Sequence, residues 1–342
     1  MAPGMINLFS DTQTRPTPAM RAAMAEAEVG DEQLREDPTV NRLETLVAEL
    51  LGKEAALFLP SGTMCNLIAV KTHTNPGDMI LTERQSHIVR AESAGSAMVS
   101  GVLIDPIDGQ RGLFTASQVQ KAIPPADGIY HPPVTLLCVE NTHNYGGGSV
   151  WPIDELRAVA EVARAQGLKL HMDGARLFNA VVASGVAADV FASVVDSVWI
   201  DLSKGLGCPV GAVLAGTRHF IERARRYKQA FGGGMRQAGI IAAAGVYALE
   251  HNISRLAEDH ENARLLAEGL AEVPRVRLVD RPQTNIVYFH VDGMDSREFR
   301  DLAERHGVRF SAVGAGVRAV THLDVSRSQV LQAVNIVRRL LA

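Results

Sequence analysis

The chain has 342 residues, of which 46% are hydrophobic, so it is long and apolar enough for roughly two domains with buried cores. This composition excludes intrinsic disorder over most of the chain. With 34 basic and 38 acidic residues the formal net charge is -4; since no Lys/Arg run interleaves with aromatic residues, a nucleic-acid partner is not expected.

The first predicted elements are a helix and a short strand. Asp37 stands before Pro38 as a favourable N-cap, and an apolar helical stripe then continues to Gly52. A strand is predicted at residues 55–59; it ends at Pro60 and is followed by a second helix.

The same order of elements recurs in the middle of the chain. Asp154 is predicted to begin a helix that ends at Gly167, before a strand at residues 168–172 that ends at Asp173. Two further strands are predicted on either side of the loop at 202–210, namely 197–201 and 211–215. This alternation is typical of an α/β fold whose sheet is largely parallel and covered on both faces.

The character of the chain changes after about residue 250. A long charged helix is predicted at 254–270, a strand at 285–290 and a helix at 296–304, followed by two short strands. The last helix starts with a capping box, in which Ser326 is the N-cap and Gln329 lies three residues on. We therefore predict a large domain at residues 1–251, with an N-terminal arm over about 1–16, and a small α+β domain at 252–342.

The cysteines and the hydropathy of the chain predict the cellular compartment of the protein. Three cysteines (Cys65, Cys138 and Cys208) without CxxC spacing predict buried, reduced thiols. The longest nearly apolar stretch, residues 240–249, is shorter than the roughly 20 residues of a membrane helix. With no basic leader before an apolar signal segment, we expect a soluble, cytoplasmic protein. The histidines are scattered, so no metal site is expected.

Ligands of open α/β sheets collect at the carboxyl ends of the strands, so residues that follow strands are candidates for chemistry. Ser61, Gly62 and Thr63 begin a helix after a strand, where free N–H groups and hydroxyls bind phosphate; a plain N-cap is the commoner alternative. Asp173 and Arg176 follow another strand; the alternative here is a salt-bridged turn.

Lys204 lies in a loop of small residues between two predicted buried strands. A desolvated lysine loses its proton readily and attacks carbonyl groups, whereas a solvated loop lysine is the commoner case. His87 and His143 are each, taken singly, more often structural than catalytic. Together, a phosphate-binding helix start, an aspartate that keeps a ring nitrogen protonated and a lysine that attaches covalently predict a pyridoxal phosphate site.

At these residues the chain resembles the threonine aldolase family of fold-type I pyridoxal-phosphate enzymes over nearly its whole length. So many motifs in the same order are not expected by chance. They are SDTQTRPT at 10–17, EDPTVN at 36–41, PSGTM at 60–64, SHI at 86–88, ENTH at 140–143, HMDGARL at 171–177, SKGLG at 203–207, GGGMRQ at 232–237 and VTH at 320–322.

The resemblance implies a large domain with a mostly parallel seven-stranded sheet and a smaller C-terminal domain. It also implies that Lys204 carries the cofactor, that Asp173 pairs with its pyridine nitrogen and that His87 stacks on its ring. The residues implied to bind the phosphate and the rest of the cofactor are Ser61, Gly62, Thr63, Arg176, Ser203 and, from a neighbouring subunit, Arg236.

Ser10, Arg176 and Arg318 are implied to hold the substrate carboxylate, because the planar guanidinium fork matches a carboxylate. The implied reaction is a retro-aldol cleavage of L-threonine, L-allo-threonine and related L-β-hydroxy-α-amino acids to glycine and an aldehyde. Either His143 or His87 takes the β-hydroxyl proton, and the sequence leaves this choice open. Family members assemble as dimers of dimers, so a homotetramer is implied.

The chain departs from the family at Leu34, Val89 and Ala91, where family members often carry aromatic residues. These departures motivate a second hypothesis, another pyridoxal phosphate reaction such as β-elimination or transfer of the glycine unit to a different aldehyde. A third is a catalytically silent protein that keeps the fold. The intact set of Lys204, Asp173 and Arg176 argues against the third, because a purely structural protein has no use for a buried lysine and its acid partner.

Overall fold

The computed structural model describes residues 4–125 and 129–342; the first three residues of the predicted N-terminal arm lie outside these ranges. The strands are β1 (Ile6–Asn7), β2 (Ala55–Leu59), β3 (Met79–Glu83), β4 (Leu103–Ile107), β5 (Val134–Glu140), β6 (Lys169–Gly174), β7 (Ser197–Asp201), β8 (Ala212–Gly216), β9 (Val276–Leu278), β10 (Ile286–Val291), β11 (Val308–Arg309), β12 (Ser311–Val313) and β13 (Gly316–Val320).

The helices are α1 (Pro18–Ala25), α2 (Pro38–Leu50), α3 (Gly62–His73), α4 (His87–Arg90), α5 (Gly95–Ser100), α6 (Ala116–Ala122), α7 (Ile153–Ala165), α8 (Leu177–Ser184), α9 (Ala188–Ser193), α10 (Arg218–Ala230), α11 (Gly239–His251), α12 (Leu256–Ala271), α13 (Ser296–Arg305) and α14 (Arg327–Leu341). Two short 3-10 helices lie at Asp11–Gln13 and Glu32–Leu34.

The predicted α/β fold with a mostly parallel, seven-stranded sheet is confirmed. The strand order is β2-β8-β7-β6-β5-β3-β4, and all pairs are parallel except those that β8 makes with β2 and β7. Alternate residues of β2 belong to different apolar clusters: Phe58 packs with α2 and α11, whereas Leu57 packs with α3 and α10. Helices therefore cover both faces, as the pleat of a strand requires.

Several predicted boundaries need correction. Strands β2 and β7 have the predicted bounds, but α7 begins at Ile153 after Pro152 rather than at Asp154. Asp154 instead lies in the first turn, where a carboxylate stabilises the helix dipole. Strand β6 extends to Gly174 because it has a parallel partner on each side, β5 and β7.

The C-terminal part forms a four-stranded antiparallel sheet of order β12-β13-β10-β9. Three short strands, not the predicted two, lie between α13 and α14, and β11 pairs with the N-terminal strand β1 instead of joining this sheet. The capping box of α14 at Ser326 and Gln329 is present as predicted. The proposed division of the chain after residue 251 stays a prediction.

Within the described ranges, none of the helices combines the length and the apolar character that crossing a membrane takes. Cys65, Cys138 and Cys208 are buried free thiols, as predicted. Burial is the largest cause that raises the pKa of each of these thiols, so they are uncharged at neutral pH.

Asp37 anchors two helices at once. Its carboxylate caps α2 by accepting from the backbone N–H groups of Thr39 and Val40, at 3.1 and 3.0 Å. The other oxygen accepts from the N–H groups of Gly30 and Gly239, at 3.2 and 2.8 Å, and Gly239 is the first residue of α11.

We predict that Asp37→Ala lowers the free energy of unfolding by about 2 to 4 kcal/mol, because it removes a helix cap and leaves buried N–H groups without acceptors. Urea unfolding of the purified protein measures this. Asp295→Ala is the matched control, since exposed Asp295 caps α13 through a single bond to Arg297, and a change of at most about 1 kcal/mol is expected there. Equal losses in the two variants would contradict this role of Asp37.

Candidate active site

Four neighbouring strands of the large sheet carry an acidic residue at or next to their carboxyl ends. These residues are Glu83 on β3, Glu140 on β5, Asp173 on β6 and Asp201 on β7, and all four are buried. Glu140 and Asp173 are register partners. Buried carboxylates need cationic or hydrogen-bonded partners, so this edge of the sheet is suited to ligands with positively charged groups.

Lys204 is the amine at this edge. Its Nζ donates to Asp201 Oδ2 and lies 5.6 Å from the centroid of the Trp199 ring. The neighbouring Ser203 donates through its N–H and its Oγ to the other oxygen of Asp201, at 2.8 and 2.7 Å. Thr14 Oγ1 donates to the Lys204 carbonyl at 2.8 Å. The lysine is thus held at the carboxyl end of β7, with only 16% of its side chain exposed.

Asp173 lies on the next strand, with two hydrogen-bond donors on its carboxylate and the titratable ring of His87 nearby. Among the described residues, its carboxylate accepts from Asn66 Nδ2 at 2.8 Å and from the N–H of Ala175 at 3.0 Å. Burial, reinforced by the negative charge of Glu140, raises the pKa of Asp173 to about 6. A buried carboxylate whose pKa is raised in this way fits the protonated ring nitrogen of pyridoxal phosphate, which would place a positive charge next to it.

His87 begins α4 next to this carboxylate. Its Nδ1 is 2.7 Å from Glu92 Oε1, and its backbone N–H donates to Glu140 at 2.7 Å. Burial disfavours the charged ring, but the bond to Glu92 and the charge of Asp173 outweigh burial and raise the pKa of His87. Nitrogen and oxygen atoms of His87, Glu92 and Asp173 lie within 4.8 Å of one another; His87 and Glu92 are bonded to each other, and Glu92 and Asp173 share Asn66 as a donor.

His143 differs from His87 in its surroundings. It is fully buried, and its Nδ1 accepts from the N–H of Gly146 at 3.0 Å. In the neutral ring the proton is therefore on Nε2, which lies 3.3 Å from Glu83 Oε2 and 3.8 Å from Glu140 Oε2. Nε2 makes no hydrogen bond within the described residues. The His143 side chain is fully buried, whereas 36% of the His87 side chain is exposed, so His87 is the more accessible of the two to a ligand.

Two arginines converge on one side of the site. Arg176 is buried and bound by both oxygens of Asp11, at 2.7 and 2.6 Å. The remaining nitrogen of Arg176 and Nη1 of Arg318 point at the same atom, Asn144 Oδ1, at 3.5 and 2.8 Å. Ser10 precedes Asp11, and its Oγ lies 3.5 Å from Asp11 Oδ1. The predicted carboxylate-binding residues are thus brought together, and Asp11 is a partner that the sequence analysis missed.

The helix start at Ser61 shows features of an ordinary cap. Ser61 Oγ accepts from the N–H of Met64 at 3.3 Å, and Ser61 and Thr63 are exposed. A Cβ at Gly62 would lie 2.3 Å from the ring of Trp199, so glycine lets the helix start pack directly on β7. This closeness brings the free N–H groups of α3 to the strand that leads to Lys204.

Arg236 and the three departures from the family lie elsewhere in this chain. Arg236 pairs with Asp31 at 2.8 Å and its side chain is 64% exposed, so its predicted role in a neighbouring subunit stays a prediction. Leu34 and Ala91 are exposed, whereas Val89 packs against the apolar cluster that contains Ile88.

Comparison with known proteins identifies relatives over most of the chain. A family model described as beta-eliminating lyase matches residues 7–294. The chain is 44% identical over 329 residues to the low specificity L-threonine aldolase of Escherichia coli (strain K12), covering 96% of this chain and 97% of that protein. It is 40% identical over 333 residues to the low-specificity L-threonine aldolase 1 of Arabidopsis thaliana, covering 95% and 93%. The structure of a threonine aldolase from Leishmania major matches with a TM-score of 0.85 at 19% identity, over 98% of this chain and 100% of that one, which confirms the fold.

Proposed function

Since this chain belongs to the threonine aldolase family of beta-eliminating lyases, we propose that it cleaves L-threonine and L-allo-threonine to glycine and acetaldehyde with pyridoxal phosphate. Related L-β-hydroxy-α-amino acids are substrates of the same reaction. The observation that carries this proposal is that the largely buried amine of Lys204, just after β7, and the buried carboxylate of Asp173, on the adjacent strand β6, lie at the same edge of the sheet.

The residues present fit the cofactor at both of its ends. Lys204 would hold it covalently through Nζ, Asp173 would hold the proton on its ring nitrogen, and His87 would cover one face of the ring. The start of α3 at Ser61, Gly62 and Thr63 would take the phosphate, helped by Ser203 and by Arg236 of a neighbouring subunit. When bound, pyridoxal phosphate withdraws electron density from the amino acid's Cα, which weakens the bonds to that carbon.

The paired arginines supply the substrate clamp. Asp11 fixes the guanidinium plane of Arg176, and this leaves the nitrogen near Asn144 to meet the substrate carboxylate together with Arg318. Ser10 completes this subsite. A carboxylate held at two points orients the Cα–Cβ bond, and such orientation lowers the barrier of the cleavage step.

The base that takes the β-hydroxyl proton is His87. Its Nδ1 is engaged by Glu92, so Nε2 is the nitrogen that meets the substrate, directly or through water. His143 is less accessible because its side chain is fully buried, whereas 36% of the His87 side chain is exposed.

The assembly and the location of the protein complete the proposal. We place the protein in the cytoplasm, which agrees with three unpaired buried cysteines. The exposed Arg236 agrees with a homotetramer in which each active site takes this arginine from a neighbour.

The test is to incubate the purified, cofactor-saturated protein with L-threonine, L-allo-threonine and L-phenylserine, and to assay glycine and aldehyde together. We expect equimolar glycine and aldehyde from each L-substrate and none from D-threonine. Release of a 2-oxo acid and ammonia would instead show β-elimination, and bound cofactor without any cleavage would contradict the proposal.

A further inference from the structure

A buried polar cluster lies between α3 and the strands β6 and β7, directly beside Asp173. It consists of Asn66 and His73 on α3, His171 on β6, and Ser197 and Trp199 on β7; we call it the Asn66 cluster. Asn66, His171 and Ser197 are almost fully buried. The reaction proposed above does not use any of these side chains directly.

Asn66 is the centre of this cluster and uses all of its hydrogen-bonding capacity. Its Nδ2 donates to Glu92 Oε1 at 2.7 Å and to Asp173 Oδ2 at 2.8 Å. Its Oδ1 accepts from Trp199 Nε1 at 2.7 Å and lies 3.2 Å from His171 Nε2. Because an indole nitrogen only donates and carboxylates accept, the orientation of the amide is determined by its partners.

In the remaining hydrogen bonds of the cluster, each donor can be assigned, and each group donates to the next one toward Asn66. Burial lowers the pKa of His171 to about 3 and that of His73 to about 4, so both rings are neutral at physiological pH. His171 donates from Nε2 to Asn66, which leaves its Nδ1 to accept from Ser197 Oγ at 2.8 Å. Ser197 in turn accepts from His73 Nε2 at 2.7 Å. Hydrogen bonds are therefore donated in one direction along the cluster, from His73 through Ser197 and His171 to Asn66, which donates to Asp173.

Asn66 separates two carboxylates that would otherwise repel each other. Glu92 and Asp173 both bind the same amide nitrogen, and Glu92 also binds the ring of His87. One side chain thus contacts the partner of the predicted ring nitrogen and, through Glu92, orients the predicted stacking histidine. No other described residue makes hydrogen bonds to both carboxylates.

We propose that Asn66 is a positioning residue of the active site, whose amide holds Asp173 and Glu92 in place and, through Glu92, the ring of His87. This inference rests on the proposed function, because it assigns Asp173 and His87 to the same cofactor. Asn66 does not touch the reacting atoms; it acts through these two partners.

The consequence for Asp173 is a change in its protonation. The bond from Asn66 opposes the effect of burial on the pKa of Asp173, so loss of the bond raises that pKa further. The titratable or charged groups that face Asp173 from the packed elements are Glu140 on β5, His143 after β5, His87 and Glu92 from the segment after β3, Cys65 on α3 and Cys138 on β5.

A double-mutant cycle of Asn66→Ala and Asp173→Asn tests the proposal in the cofactor-free protein. The free energy of unfolding is measured in urea from pH 4 to 8 for each protein with and without the Asp173→Asn substitution. The difference within each pair depends on pH through the titration of Asp173. We expect the pH at which this difference levels off to rise by about one unit in Asn66→Ala, the shift that loss of a bond to a charged group produces. No shift would overturn the proposal.

The second readout is the affinity for pyridoxal phosphate at pH 7. We expect Asn66→Ala to weaken it at least about twofold when Asp173 is present, because a pKa raised by about one unit leaves roughly half of Asp173 ionised at pH 7. Little further effect is expected in the Asp173→Asn background, because the two residues act as a unit. Equal weakening in both backgrounds would show a merely structural role. If the wild type did not bind the cofactor, the proposed function would fail, while the unfolding cycle would still decide whether Asn66 sets the protonation of Asp173.

Two further variants keep the test decisive. Asn66→Ser retains a single donor, so an intermediate shift is expected if Asn66→Ala does not fold. Asn262→Ala removes another buried asparagine, which donates to the Val325 carbonyl at 3.3 Å. This control should lower the free energy of unfolding without changing the pH at which the stability difference caused by Asp173→Asn levels off. The same shift in Asn262→Ala as in Asn66→Ala would overturn the proposal.

Discussion

Replacing Lys204 with alanine is expected to lower kcat by at least about ten-thousandfold. Lys204 Nζ is the amine held at the carboxyl end of β7, where Asp201 and the Trp199 ring position it. In the proposed site, the variant would lack both the covalent attachment of the cofactor and the amine that exchanges with the substrate. Steady-state release of glycine from L-threonine measures the effect.

Two variants separate loss of chemistry from loss of structure. Lys204→Arg keeps a positive charge beside Asp201 but not the nucleophilic amine, and it should be as inactive as Lys204→Ala. Lys169→Ala removes an exposed lysine that pairs with Asp196 at 2.9 Å, and its activity should stay near that of the wild type. Near-normal turnover in Lys204→Ala would refute the assignment of the site.

Asp173→Asn is expected to lower kcat about a thousandfold and to weaken cofactor binding, because a neutral amide does not keep a ring nitrogen protonated. The same change should also remove a pH-dependent loss of stability from the cofactor-free protein. Burial raises the pKa of Asp173 from 3.8 to about 6, so folding disfavours its ionised form. The wild type therefore loses stability relative to the variant as pH rises from about 4 to about 6, and above pH 6 the difference levels off at roughly 3 kcal/mol.

Turnover and urea unfolding of the same two proteins check both halves of this prediction. Asp154→Asn is the control, because Asp154 is exposed and, within residues 4–125 and 129–342, pairs only with Arg157 at 3.0 Å; activity should not change, and no comparable change in the pH dependence of stability is expected. A stability difference between the two proteins that stayed constant from pH 4 to pH 7 would contradict the raised pKa of Asp173.

The fold was largely predictable because its determinants are local. The N-cap at Asp37, the glycines that end helices and the apolar runs of β2 and β7 each act within a few residues, and the elements they predict are present. The predicted strand boundaries and pairings are wrong where they depend on neighbouring strands that are distant in sequence. Strand β6 extends beyond its predicted end because its last residues pair with β5 and β7. Strand β11 pairs with β1, which lies near the other end of the chain.

The site was predictable only in part. Lys204, Asp173 and Arg176 follow strands and carry groups suited to chemistry, so position and residue type identified them. Asp11 and Asn66 were missed because their roles depend on partners distant in sequence, at Arg176 and Asp173. A usable signal existed for Asp11, since a buried arginine requires a carboxylate, but nothing in the sequence pattern around Asn66 indicates its position beneath the sheet edge.

The proposed site breaks the Cα–Cβ bond of a hydroxy amino acid. The most direct test uses L-threonine labelled with carbon-13 at both Cα and Cβ, followed by NMR during turnover by the cofactor-saturated protein. We predict that the coupling between the two labelled carbons disappears as singly labelled glycine and acetaldehyde form in equal amounts. Retention of that coupling in a 2-oxo acid product would contradict the account, because it would show that the bond between the two carbons stays intact.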